Sequence, residues 1–341
     1  VFDYTRVAPV QVFDGIKDLG SNPFPYALVA VMLVVSTLVF LGSKALLGRS
    51  KLGTAPRPKG RSSEVSPGKG VAWLCTLFFF GVFFISSLPH LGVLLLSLSE
   101  GWYATIIPEH WTGAHYVEGL SHPLVVPSIQ NSLIYASGAT LVDVVLGVAI
   151  AWVVVRSDIK GRSLLDALVM LPLAVPGLVL AFGYLALSQP GEPFHFLVGA
   201  GENPLLLLVV AYAVRRLPYV VRAAVAGLQQ SNIALEEAAR SMGASPVGTL
   251  RRVALPLLGA NVIAGAILAF AFAMLEVSDS LILAQQAEHF PVTKAIYSLL
   301  STLGNGHELA AALGVWAMIF LAISIIGAVV LGGKKGGLFR M

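Results

Sequence analysis

The sequence predicts an all-α membrane protein, a polytopic helical bundle of about seven transmembrane helices. Three observations lead there. Of the 341 residues, 56% are hydrophobic and 12% charged, about half of the ~25% charge usual in soluble globular proteins. Seven continuous runs are apolar enough, and near enough to the ~20 residues that ~30 Å of hydrocarbon requires, to be read as spans. The Lys and Arg residues then sort to one side of those runs. With so few charges a soluble protein of this size could not cover its surface. The composition excludes a water-soluble enzyme, a disordered chain and a nucleic-acid binder.

In chain order the runs are roughly 24–47, 71–98, 130–155, 164–188, 204–225, 260–284 and 308–332. All are continuous rather than alternating in period two, which argues against membrane strands. The weakest is 204–225, where Arg215, Arg216 and Pro218 follow only eleven apolar residues; its arginines are expected near one membrane face. Run 164–188 contains Pro172 and Pro176. Proline-broken helices at mid-membrane line transport sites in some proteins and are filled packing kinks in others.

Cytoplasmic loops carry the excess of Lys and Arg. Loop 48–70 holds Arg49, Lys51, Arg57, Lys59, Arg61 and Lys69, and loop 156–163 holds Arg156, Lys160 and Arg162. Region 215–259 adds Arg215, Arg216, Arg222, Arg240, Arg251 and Arg252, and the tail adds Lys334, Lys335 and Arg340. With Lys44, nineteen of the 22 cations fall on one side, and segment 99–130 has none. Seven alternating spans reproduce this partition, with residues 1–23 outside and the C-terminus cytoplasmic.

The single cysteine, Cys75, excludes an internal disulfide framework and a multi-Cys zinc site. Six of the seven histidines are expected outside, without ligand spacing, so no metal site is expected. The chain starts at Val1 rather than Met, and segment 16–42 echoes 300–326 when Gly20 is laid on Gly304. Both features suit a piece of a longer polypeptide. The expected domains are 1–47, an outer amphipathic segment and the last helix of a preceding bundle; 48–70, a cytoplasmic linker; 71–332, a six-helix core; and 333–341, a cytoplasmic tail.

The most informative stretch is SNIALEEAARSMGASPVGTLRRVALPLL, residues 231–258. Ser231 or Asn232 can cap a first helix, with Glu236 and Glu237 at its positive N-terminal end. Gly243 supplies a left-handed stop. Ser245-Pro246 restarts a helix with a capping hydroxyl and proline at its first position. The Ala238-Ala239 pair keeps one face small enough to lie against another protein. The spacing predicts a rigid helical knob.

Glu237-Ala238-Ala239, Gly243 and Val253-Ala254-Leu255-Pro256, in this spacing and at this place in the topology, resemble the EAA loop of binding-protein-dependent ABC importer permeases. Asn131-Ser132-Leu133 and the 215–222 run RRLPYVVR are similar to that family too, so the resemblance covers about 71–332. It implies a type I ABC importer permease of a bacterial inner membrane, surrounded by lipid, with Glu236, Glu237, Ala238, Ala239, Gly243, Leu255 and Pro256 forming the ATPase-coupling loop. It implies a cytoplasmic ATPase dimer, an extracytoplasmic solute-binding protein and a second permease bundle, here expected in the same polypeptide. Glu237 and Gly243 are expected to carry the mechanical joint. The chain has no GxxxxGK[ST] pattern, so ATP is expected to be hydrolysed by the partner, with no cofactor bound directly and no enzyme activity here.

A charge within hydrocarbon costs ~2.5–3.5 kcal/mol or more, which makes each one a functional candidate. Asp143 lies midway through 130–155, and Glu276 and Asp279, with Ser278 beside them, share one face of the sixth run. Together with Pro172 and Pro176 these are the candidate translocation path; the acids could attract a cationic substrate or pair with an arginine. The runs 171–184 and 215–222 and the fused layout resemble permeases for ferric iron, thiamine and aminoethylphosphonate. Ferric iron is the first expectation, phosphonate or another small organic solute the second. Loop 99–130 and the stretch 291–304 are expected docking surfaces. The competing class is an ATP-independent secondary transporter, which would use the intramembrane acids as proton sites and leave the EAA loop without a purpose.

Overall fold

The computed structural model describes residues 7–15, 22–47, 68–199 and 202–336. The expected linker lies outside the described residues except at its C-terminal end, where Lys69 already begins a helix. Among the described residues there is no strand, only the isolated bridges Ser99–Trp111 and Gly199–Asn203. The helices are α1 (Ala8–Asp14), α2 (Phe24–Leu47), α3 (Lys69–Ser97), α4 (Ala114–Ser121), α5 (Val125–Arg156), α6 (Arg162–Ala174) and α7 (Gly177–Leu187). They continue as α8 (Leu205–Gln230), α9 (Ile233–Ser241), α10 (Pro246–Thr249), α11 (Leu255–Met274), α12 (Ser278–Leu283), α13 (Val292–Leu300) and α14 (Gly306–Gly336).

Among the described residues, five helices are long and apolar enough to cross a membrane: Phe24–Ser43, Lys69–Ser97, Val125–Arg156, Val247–Met274 and Gly306–Ile326. Three expectations need correction. Run 164–188 is a bent pair, α6 and α7, at 103° to one another. Pro176, as the residue before α7, cannot donate to a continuing ladder, and Val175 before it is extended. Run 204–225 is α8, whose 26 residues span ~39 Å at 1.5 Å per residue. Arg215 and Arg216 sit midway along it, inside the bundle rather than at a membrane face, so they leave the tally of loop cations. Run 260–284 ends as a helix at Met274, for a reason that lies in the candidate site.

α8 is the axis of the bundle, packed between α5 and α11. Around its first half Tyr135, Leu208, Tyr212 and Ile282 form one core cluster. Around its second half Val148, Val221, Leu228 and Leu258 form another. A third, with Val125, Leu299 and Leu313, joins α13 and α14 to the start of α5. α3 packs on α14 and offers the rest of its apolar surface outward, as lipid solvation of a peripheral span requires. α1 and α2 lie against α7, with Tyr26 edge-on to Phe182 at 5.0 Å between ring centroids.

Candidate functional site

The knob forms where local capping chemistry dictates. Asn232 Oδ1 accepts a hydrogen bond from the Ala234 N–H at 3.0 Å and opens α9. Gly243 closes it at φ +89°, its N–H donating to Arg240 O and that of Ala244 to Ala239 O. Ser245 Oγ accepts from the Gly248 N–H at 3.1 Å and starts α10. A π-helical turn, Leu250–Ala254, then leads into α11, so that Val247–Met274 is one continuous helix.

Arg156, the last residue of α5, fastens this unit to the bundle. Its Nε lies 3.1 Å from both carboxylate oxygens of Glu236. Its Nη2 donates at 2.8 Å to Leu228 O and to Ser231 Oγ, tying α5, α8 and α9 at one point. Glu236 is buried and Glu237 is exposed, so the attachment of the knob to its own bundle runs through Glu236, while Glu237 faces outward. Ala239 is buried, which leaves only Ala238 of the small pair exposed. Beside it the knob exposes Ile233, Leu235, Met242 and Val247. Leu255 packs into the second core cluster, and Pro256 is exposed at the start of α11. Arg156 was missed in the sequence, where it reads only as the cation that ends a span.

At the other end of α11 the chain unwinds over 275–277 and restarts as α12. Glu276 and Asp279 therefore do not share one continuous helical face. Glu276 Oε1 accepts from the Ser278 N–H at 3.0 Å, opening α12, and both carboxylates face α8. Arg215 reaches the two oxygens of Asp279 at 3.1 and 3.0 Å and Glu276 at 3.6 Å, and Arg216 donates to Glu276. Arg215, Glu276 and Asp279 are all buried. The need to pair two buried carboxylates ends α11 where the apolar sequence runs on.

Arg215 Nη2 also donates at 2.9 Å to Gly177 O, the first residue of α7 beyond Pro176. One guanidinium thus braces α8, α12 and the bend of α6–α7. Tyr212 and Ser280 hydroxyls meet at 2.6 Å, and Thr293 Oγ1 donates to Glu276 O at 2.6 Å. Asn131 Nδ2 donates to Glu288 O and Phe290 O, and Ser132 Oγ accepts from the Val292 N–H. These residues anchor the connection from α12 to α13.

The candidate path residues thus fall into two groups. Glu276, Asp279 and half-buried Ser278 gather with Gly177, next to Pro176, around Arg215; Pro172 lies one helix back, inside α6. Asp143 stands apart on α5, fully buried, with no hydrogen-bond partner for either oxygen. Two cavities, of about 450 and 290 Å³, are lined almost wholly by apolar residues and by none of these side chains. Among the described residues no group of three or more His, Cys, Asp or Glu is placed to hold a metal ion.

Comparison with known proteins agrees with this architecture. Residues 143–332 match the family of binding-protein-dependent transport system inner membrane components, and the chain belongs to that family. It is 32% identical over 256 residues to a "Probable molybdenum ABC transporter permease protein" of Haloferax volcanii, covering 75% of this chain and 87% of that one. It is 33% identical over 213 residues to the sulfate transport system permease protein CysT of Salmonella typhimurium, covering 61% and 72%. It is 35% identical over 152 residues to the ferric transport system permease protein FbpB of Actinobacillus pleuropneumoniae, covering 45% of this chain but only 21% of that one. Among solved structures, a bacterial alginate ABC transporter in complex with an alginate pentasaccharide-bound periplasmic protein superposes at TM-score 0.60 and 17% identity, covering 77% and 93%. The fold is that of a type I ABC importer permease, and the chain is a multi-pass permease subunit of an ABC importer.

Proposed function

We propose that this permease couples a cytoplasmic ATPase dimer, docked on the α9 knob, to the import of a small inorganic ion delivered by an extracytoplasmic solute-binding protein. The observation that carries the coupling is the construction of the knob. Exposed Ile233, Leu235 and Met242 sit on a helix locked by Arg156 and Glu236 and continuous, through α10, with a 28-residue lever, Val247–Met274. An exposed apolar patch on a capped, rigid element suits a partner's cleft. The solved complex of a fold relative with a periplasmic binding protein supports a docking face at the opposite end, where α4 and α13 lie. In this reading the knob and the C-terminus lie in the cytoplasm and the protein sits in a bacterial inner membrane.

For the cargo, the molybdenum and sulfate permeases, matched over 87% and 72% of their lengths, favour a tetrahedral oxyanion. Ferric iron is the second reading. It is favoured by the 35% identity to a ferric permease. In this reading Glu276 and Asp279, paired with Arg215 and Arg216, hold helices rather than attract a cation.

Two measurements test the proposal. Leu235→Glu with Met242→Glu, on the exposed face, should abolish co-purification of the ATPase subunit while the permease still folds; retention of the subunit would refute the docking site. Uptake of labelled molybdate, sulfate and ferric iron by reconstituted vesicles should show ATP-dependent molybdate or sulfate transport. ATPase-free uptake driven by a proton gradient would instead establish a secondary transporter.

A further inference from the structure

A cavity of about 400 Å³ lies between α4 and the turn that opens α14. α5 fixes its place at the end of the bundle opposite the knob, for it starts just beyond α4 and ends at Arg156. Glu100, Glu118 and Glu308 line the cavity together with His115 and Asn305, and no Lys or Arg is in its lining. Segment 99–130 has none to offer. Lys294, in the neighbouring stretch 291–304, is engaged elsewhere: it donates to Leu281 O at 2.7 Å and lies over the rings of Phe290 and Tyr297.

Two groups in this lining are left unsatisfied. His115 is buried, and its Nε2 lies 3.0 Å from Ser99 O; a carbonyl only accepts, so Nε2 carries a proton and donates. In the neutral ring Nδ1 then offers a lone pair, and it has no hydrogen-bond partner. Across from it stands Glu118 Oε2, 3.8 Å away, another acceptor. Glu308 Oε2 is likewise buried without a partner. Glu118 Oε2 accepts from Asn305 Nδ2 at 2.7 Å, a neutral donor that leaves its charge uncompensated. A proton on Nδ1 would offset one carboxylate and leave two. Acceptors turned toward acceptors call for N–H donors from outside the chain.

We infer that this cavity is the socket for a basic side chain, Lys or Arg, of the solute-binding protein, which docks by inserting it between Glu118, Glu308 and His115. The spread of the acceptors selects such a guest. A bare metal ion needs its ligands gathered round one point, and among the described residues no three His, Cys, Asp or Glu are so placed. A guanidinium or ammonium on a long stem carries several N–H donors that reach acceptors standing apart. The inference rests on the proposed docking of a solute-binding protein at this end and names the chemistry by which it is held.

The test uses the full transporter, permease with its ATPase subunits in nanodiscs, and measures association with the purified solute-binding protein of the same transport system. Glu118→Gln with Glu308→Gln removes two charges while leaving Asn305 an acceptor at 118. It should weaken association about tenfold at low salt, and the wild-type advantage should shrink to about twofold or less at ~0.5 M salt. Glu109→Gln, in the same loop and exposed but outside the lining, should bind as wild type does. Glu118→Lys, on a side chain 53% exposed, decides alone if the double variant fails to assemble: it should weaken association by about tenfold or more. If wild type binds and the double variant or Glu118→Lys binds equally well, the socket is overturned. It is also overturned if Glu109→Gln weakens binding as much, because general acidity would then suffice. A wild type that associates at no salt concentration overturns the docking reading itself, and so is told apart from failure of the socket.

Discussion

Arg156 and Glu236 are joined by two hydrogen bonds of 3.1 Å from one Nε, with side chains only 9% and 3% exposed. The pair connects the end of a span to the first turn of the knob. Removing one member of a buried pair strands the other and costs about 3–5 kcal/mol. Arg156→Ala is therefore expected to loosen α9, with cargo-stimulated ATPase and uptake down by about tenfold or more and unstimulated hydrolysis retained. Arg156→Lys keeps the charge but loses the planar fork and should fall between. Normal coupling in Arg156→Ala, in vesicles of matched protein content, would show the pair to be incidental.

Gly243 is held at φ +89° with no atom within 4 Å of where a Cβ would stand. Any penalty for substitution is thus backbone strain alone, about 1–2 kcal/mol for an L residue in the left-handed region. Gly243→Asn should be nearly neutral, Gly243→Ala intermediate and Gly243→Val worst, because a β-branched residue tolerates that region least. ATPase co-purification and thermal unfolding should follow this order. Equal behaviour of Asn and Val would mean that the turn does not hold the knob in shape.

The knob was legible in the sequence because capping is local: Asn232, Gly243 and Ser245 act on backbone groups within five residues of themselves. The apolar runs were legible because the hydrocarbon imposes length. The fate of Arg215 and Arg216 was not, since their partners lie 38 to 64 residues away and a cation after eleven apolar residues reads equally well as the end of a span. The end of α11 at Met274 was hidden for the same reason: apolar residues continue to Ala284, and only pairing across to α8 tells the chain to unwind. Arg156 was seen as a topological marker, which it can be while also being a fastener.

The Arg215–Asp279 pair gives a test in which adding a second mutation should help. Arg215→Met alone leaves Asp279 buried without its cation and should lower stability by about 3–5 kcal/mol, whereas Arg215→Met with Asp279→Leu replaces ions by apolar groups of similar volume and should recover most of it. Glu276 keeps Arg216 in both variants. Unfolding temperatures in one detergent should rank wild type and double variant close together, well above Arg215→Met. If the double variant is as unstable as the single one, the Arg215 bond to Gly177 O, not the ion pair, is what matters.

That bond can be probed from its other end. A Cβ on Gly177 would stand 2.7 Å from Ser278 Cβ and 3.0 Å from Arg215 Nη1, so Gly177→Ala must push α12 or the guanidinium away. Overpacking of this kind costs about 1–3 kcal/mol. Because the clash involves Ser278 Cβ itself, adding Ser278→Ala should relieve only part of it, and Ser278→Gly more. Gly183, on the same helix, has nothing within 4 Å of its Cβ position; there an alanine should be neutral or stabilising by up to about 1 kcal/mol. Unfolding temperatures of the four variants should place Gly177→Ala lowest and Gly183→Ala at or above wild type. Equal tolerance at 177 and 183 would mean that α7 and α12 are not in close contact at the bend.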